Sequence, residues 1–183
     1  MAINLQKGQR ETLNAQKFTI GLGWDTNASA SGGDFDLDAS VFMLTEAGKI
    51  PADEFFVFYN NATSPDGAVS HSGDNRTGDG DGDDEQVMVD LSKIDPRVTQ
   101  ICVVVTIHDA DERRQNFGQV RNSFIRICDA GGAELVKYEL DEDFSIETAV
   151  EFGRIYKRGA EWKFEAVGVG MKGGLTDYLN RYN

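Results

Sequence analysis

The chain has 183 residues, 40% of them hydrophobic and 27% charged, with 31 Asp and Glu against 18 Lys and Arg. A formal net charge of −13 argues against nucleic-acid binding, which needs clustered Lys and Arg on the phosphates, and favours cationic ligands. The length suits one domain, residues 1–183, with a sizeable core, and the apolar fraction is that of a globular chain rather than a disordered one.

Residues 1–13 (MAINLQKGQRETL) lack the basic start and apolar stretch of a secretory leader. The longest wholly apolar run, 101–105, is too short to cross a bilayer. The two cysteines, Cys102 and Cys128, both sit in apolar strand-like stretches. The expectation is a cytoplasmic protein with two reduced, buried thiols.

In chain order the pattern is strand after strand. Residues 18–24 (FTIGLGW) read as a strand. In 35–44 (FDLDASVFML), Phe35, Leu37, Ala39, Val41 and Met43 share one face, and Asp36, Asp38 and Ser40 fall on the other. TEAGK reads as a turn with Gly48 at positive φ. Residues 54–59 (EFFVFY) are apolar on both faces and predict a deeply buried strand. Val87, Val89 and Leu91 alternate with Met88 and Asp90, as in a half-exposed strand. The β-branched run 101–107 (ICVVVTI) predicts a central buried strand. Two hairpins follow, 124–128 with 134–140 around DAGGA, and 149–156 with 162–169 around KRGAE. Helical periodicity is confined to 112–120 and to the C-terminal TDYLNRYN. Many short strands with Gly-rich turns predict an all-β chain, an antiparallel β-sandwich with short peripheral helices.

Residues 74–86 (DNRTGDGDGDDEQ) stand out. Asp74, Asp79, Asp81, Asp83, Asp84 and Glu85 crowd together with Arg76 as the one opposing charge. Two like charges at about 4 Å repel by about 1 kcal/mol in water and about 4 kcal/mol at an effective dielectric near 20. The segment must therefore stay splayed in solvent or hold a cation. Oxygen donors without His or Cys select a hard ion, and the alternating glycines allow backbone carbonyls to turn inward, which suits Ca²⁺ better than Mg²⁺. The spacing is not that of an EF-hand, because Asp84 stands where Gly is required and Asp90 where Glu is required. Donors must then come from elsewhere, with Asp36 and Asp38 on one strand face and Asp25 and Asp109 at strand ends as candidates. A solvated acidic loop is the bland alternative for any such run.

Together GLGWD (21–25), DFDLDASVFML (34–44), FVFYNN (56–61), GDNRTGDGDGDDE (73–85) and HDADERRQNFGQV (108–120) resemble the signature segments of the tellurium-resistance TerD family, in order and over nearly the whole chain. The resemblance implies a β-sandwich, two bound calcium ions, and a role in bacterial tellurite resistance and stress response. It also implies partners among other tellurite-resistance proteins, one of them membrane-embedded, without direct membrane insertion. The protein would then be cytoplasmic, or peripheral at the inner membrane through that partner. The family's acidic positions fall on Asp36, Asp38, Asp74, Asn75, Asp83, Asp84 and Glu85. Asp81 joins them on the residue reading, and Asp25 and Asp109 follow the pattern.

A second reading uses bound metal with Arg113 or Arg114 on an anionic substrate, as in a hydrolase or phosphotransferase. It lacks a convincing general base, since His71 and His108 are the only histidines. GVGMKG (168–173) matches G-x-G-x-x-G, but no second βαβ half follows it, so it reads as a strand end. Phe117, Trp24 and Trp162 are expected in the core.

Overall fold

A computed structural model describes residues 3–26, 37–71, 85–107, 110–113, 116–117, 120–140 and 147–182. Among them run twelve strands: β1 (Ile3–Leu5), β2 (Arg10–Leu13), β3 (Lys17–Thr26), β4 (Leu37–Thr45), β5 (Phe56–Val57), β6 (Val69–His71), β7 (Glu85–Asp90), β8 (Val98–Ile107), β9 (Val120–Asp129), β10 (Glu134–Glu139), β11 (Ala149–Arg158) and β12 (Glu161–Met171). The helices are the single turn α1 (Ala110–Arg113) and the longer α2 (Leu175–Tyr182).

The strands form two six-stranded sheets, ordered β1-β10-β9-β3-β7-β6 and β2-β12-β11-β8-β4-β5. Pairing is antiparallel except between β1 and β10. Period-2 alternation supplies the core. Ile20, Leu22, Val87, Ile125 and Ile127 from one sheet meet Val41, Met43, Ile101, Val103 and Val105 from the other, all essentially inaccessible. The β-branched run lies on β8, flanked by β4 and β11 in the middle of its sheet. The DAGGA hairpin and the turn at Gly159 (φ 65) fall where the turn residues put them. Gly48 closes its turn at φ 78, with Thr45 N–H bonded to Lys49 O at 2.8 Å.

Four expectations need correction. Strand β4 is buried on both faces, Asp38, Ser40, Phe42 and Leu44 included. The reason is α2, whose Tyr178 and Tyr182 lie against the Phe42 ring at centroid distances of 6.2 and 5.0 Å. The EFFVFY run is not one strand: Asp53–Phe55 is a 3₁₀ turn, only Phe56 and Val57 pair with β4, and Tyr59 is 48% exposed. Of the described residues in 112–120, only Glu112 and Arg113 at the end of α1 are α-helical, Phe117 is a buried 3₁₀ position, and β9 already begins at Val120. Cys102 is buried but Cys128 is only half-buried, and neither forms a disulfide.

Strands β1 and β2 had no counterpart in the sequence reading. They are edge strands of only three and four residues, too short for their pattern to carry much period-2 signal. Trp24 is buried in the core and Trp162 packs partly buried against it.

One consequence of this topology matters for function. Strands β3, β6, β8 and β10 end, and β4, β7, β9 and β11 begin, at the same end of the sandwich. The register shows this directly: Thr26 lies opposite Val120, His71 opposite Val87, Leu37 opposite Ile107, and Ala149 opposite Thr106. The segments 27–36, 72–84, 108–119 and 140–148 are therefore all joined to the sheets at this end.

Candidate metal centre

The end of the sandwich where these connectors attach is joined across the two sheets by a carboxylate. Strand β5 pairs only with Val41 and Phe42 of β4, so the outer edge of β4 is open at Ala39. An N–H left unpaired in the interior would cost about 1–3 kcal/mol. Glu85, the first residue of β7, answers it from the other sheet: Ala39 N–H donates to Glu85 Oε2 at 2.6 Å. The same oxygen lies 3.5 Å from His71 Nε2, and the side chains of His71 and Glu85 are 2% and 1% exposed. The acidic segment thus ends in a buried carboxylate seated beside the strand that carries Asp38.

Asp38 pairs with Thr106 of β8 and is 8% exposed. Two carboxylates buried at one end of the fold need compensation by hydrogen bonds or by a cation. Their oxygens are the hard donors that Ca²⁺ takes and Zn²⁺ does not prefer.

Of the candidate ligands, the structure describes Asp38 and Glu85 in full and places Asp25 on β3 opposite Arg121. The Asp25 side chain, and all of Asp36, Asp74, Asn75, Asp79, Asp81, Asp83, Asp84 and Asp109, lie outside the described residues. So do Arg114, His108 and the Arg113 side chain. Among the described residues no three His, Cys, Asp or Glu side chains are grouped to hold a metal ion. Asp38 and Glu85 alone are too few donors for Ca²⁺, which takes six to eight oxygens. The residue that sequence reasoning underused is His71, whose role depends on a partner across a strand pair and leaves no local pattern.

A second polar region lies on the outer face of the sheet that carries β4, centred on β11. In a regular strand residues three apart face opposite ways. The register of β11 slips between Glu151 and Gly153, a bulge that turns Glu151 and Arg154 to one face. Arg154 donates from Nε and Nη2 to Glu151 Oε1 at 3.0 and 2.8 Å, and from Nη1 to Gln100 Oε1 at 3.0 Å. Cys102 and Phe42 continue that row under α2. Burial raises the Cys102 thiol well above its ordinary range, with the Glu151 carboxylate adding to the shift. Burial likewise pushes Tyr178 up to about 12 and raises Tyr182 in the same direction.

Arg154 also lines a groove of about 490 Å³ with Arg10, Tyr156, Lys157, Glu46 and Glu165. Its three cations face two carboxylates, so the groove favours neither sign of charge. The GVGMKG motif is strand, not phosphate loop: β12 continues through Met171, and Gly168 takes φ 61 at a register slip against β11.

A two-sheet antiparallel-rich sandwich with two buried carboxylates, Asp38 and Glu85, at the end where its connectors attach defines the class of protein. The comparisons place it: the TerD domain matches residues 1–182, and the chain belongs to the TerD family. It is 53% identical to the uncharacterized protein YceE of Bacillus subtilis over 188 aligned residues, covering 100% of this chain and 98% of the relative. It is 49% identical to the tellurium resistance protein TerD of Serratia marcescens, covering 100% and 97%. A general stress protein of Bacillus subtilis, 16U, is 50% identical over 97% of both chains. A solved Streptomyces coelicolor homologue of the telluride resistance protein TerD superposes with a TM-score of 0.70 at 20% identity, over 91% of this chain and 96% of that one. The fold and the tellurium-resistance and stress-response family are therefore those the sequence motifs implied. Among the described residues no helix is long and apolar enough to cross a membrane.

Proposed function

We propose that this protein is a calcium-binding, non-enzymatic interaction module of bacterial tellurite resistance and stress response. Two calcium ions would be held by Asp36, Asp38, Asp74, Asn75, Asp81, Asp83 and Asp84, with Asp25 from the end of β3 and Asp109 from a neighbouring connector, and with Glu85 as the buried carboxylate that positions the acidic segment. Bound calcium would supply the positive charge that lets these carboxylates lie close together. The chain's own part is to bring the acidic segment to the start of β4, exclude water beneath it, and present the resulting surface to partners. Those partners are other tellurite-resistance proteins, including a membrane-embedded one, met on the cytoplasmic side.

The observation that carries this reading is the bond from Ala39 N–H to Glu85 Oε2. It sets the last acidic residue of the 74–85 run against the start of β4, the strand that carries Asp38, so that two motifs separate in sequence share one end of the fold. The names of the matched relatives state resistance and stress response and name no reaction.

Thermal melting in calcium and in chelator tests it. An ion at a hundred times its dissociation constant stabilises the fold by about 2.7 kcal/mol. For a chain of this size that raises the midpoint by about 5–11 °C. The rise should vanish in the paired D83N and D84N variant and shrink in D38N. Equal midpoints with calcium and with chelator would refute the proposal.

A further inference from the structure

We infer that Glu85 and His71 form an ion-independent tie between the two sheets, and that Glu85 positions the acidic end rather than ligating the ion. The inference deepens the proposed calcium function, but its geometric part stands without it.

Three observations support the tie. First, the side chain of Glu85 shares a face with Val87 and Val89, both essentially inaccessible. Its carboxylate therefore points into the sandwich rather than out toward the connectors. Second, the Oε2 atom is engaged by protein donors. Ala39 N–H sits at 2.6 Å, the short distance of a bond to a charged acceptor, and His71 Nε2 lies 3.5 Å away. Third, His71 is itself fixed. It pairs with Val87 on the neighbouring strand, and its backbone N–H donates to Ala62 O at 2.7 Å.

Without the tie, the open edge of β4 at Ala39 would need another acceptor, and β4 and β7 would lose a polar link between the sheets. With it, Asp38 and the end of the acidic segment are held in register before any ion arrives. A ligand carboxylate is free to turn to its metal; the Oε2 of this one already serves the sheet.

The test is run on the full chain with calcium removed by chelator. Amide hydrogen exchange at Ala39 should be slow in the parent protein and faster by about tenfold or more in E85A, the loss expected for a bond to a charged acceptor. E85Q keeps an oxygen acceptor and should lie between the two, which covers the case in which E85A does not fold. Unchanged Ala39 exchange in E85A, or E85Q exchanging faster than E85A, overturns the tie.

The ligand question is read separately from side-chain carboxylate carbon resonances during a calcium titration, with Glu85 assigned through E85Q. Aspartate signals should move while that of Glu85 stays in place. A Glu85 signal that titrates with the aspartates overturns the positioning role. If no carboxylate signal moves in the parent protein, the calcium proposal fails, while the exchange result still decides the tie.

Discussion

Gly168→Ala should destabilise this fold far more than Gly159→Ala, although both glycines have nearly the same backbone. Their φ angles are 61 and 65, so an alanine at either site must take the left-handed conformation, a cost of about 1–2 kcal/mol. The surroundings differ. Nothing lies within 4 Å of a Cβ built on Gly159, whereas one built on Gly168 runs into the Tyr138 hydroxyl and comes within 3.1 Å of Tyr138 Cζ. Tyr138 is 2% exposed and hemmed in by the core, so overpacking adds about 1–3 kcal/mol. The total for Gly168→Ala is then about 2–5 kcal/mol, and the midpoint difference between the two variants is about 2–12 °C. Differential scanning calorimetry of the two variants beside the parent measures it. In a Y138F background the excess cost of Gly168→Ala should fall, because the atom it strikes first is gone. Equal melting of the two glycine variants would refute the packing argument. A phosphate-loop role for GVGMKG would instead show as altered nucleotide binding at unchanged stability.

Further outcomes follow from the outer face under α2. Glu151→Ala should cost about 1–3 kcal/mol in urea unfolding, a buried-pair penalty discounted because the Arg154 side chain is 30% exposed; E151Q, which keeps an acceptor, should cost less. Tyr178 has a folded pKa of about 12 against an ordinary value of 10.0. A raised folded pKa means its contribution is whole below pH 10 and lost as pH climbs through about 12, so melting midpoints should fall steeply across that window. A phenylalanine at 178 should flatten the fall, and an equal fall in Y178F would contradict the assignment. In the native protein a thiol reagent should modify Cys128 and spare Cys102, whose thiol is buried and raised; denaturation should expose both.

Much of the sandwich could be read from local pattern. The run ICVVVTI is β-branched at every position but Cys102 and forms the buried part of β8; DAGGA has the turn chemistry its hairpin uses; Gly48 adopts the conformation its turn needs. What escaped was set by partners distant in the chain. The outer face of β4 looked solvent-facing because Asp36, Asp38 and Ser40 are polar, yet α2, more than 130 residues later, covers it around Phe42. EFFVFY is apolar enough for a strand, but the chain turns at Asp53–Phe55 before pairing begins. Glu151 and Arg154 would face opposite ways but for a bulge that no spacing rule foretells. The acidic segment is conspicuous as a candidate cation holder from composition alone, and its link to β4 through Glu85 and Ala39 spans 46 residues with no local trace.

We propose that calcium is what lets the carboxylates joined to this end lie close together. Calorimetric titration of the chelator-stripped protein with Ca²⁺ tests it most directly. The account predicts saturable binding of two ions, abolished in the D83N and D84N double variant and weakened in D38N while both variants stay folded. No saturable heat from the parent protein, or identical isotherms from parent and double variant, would contradict it.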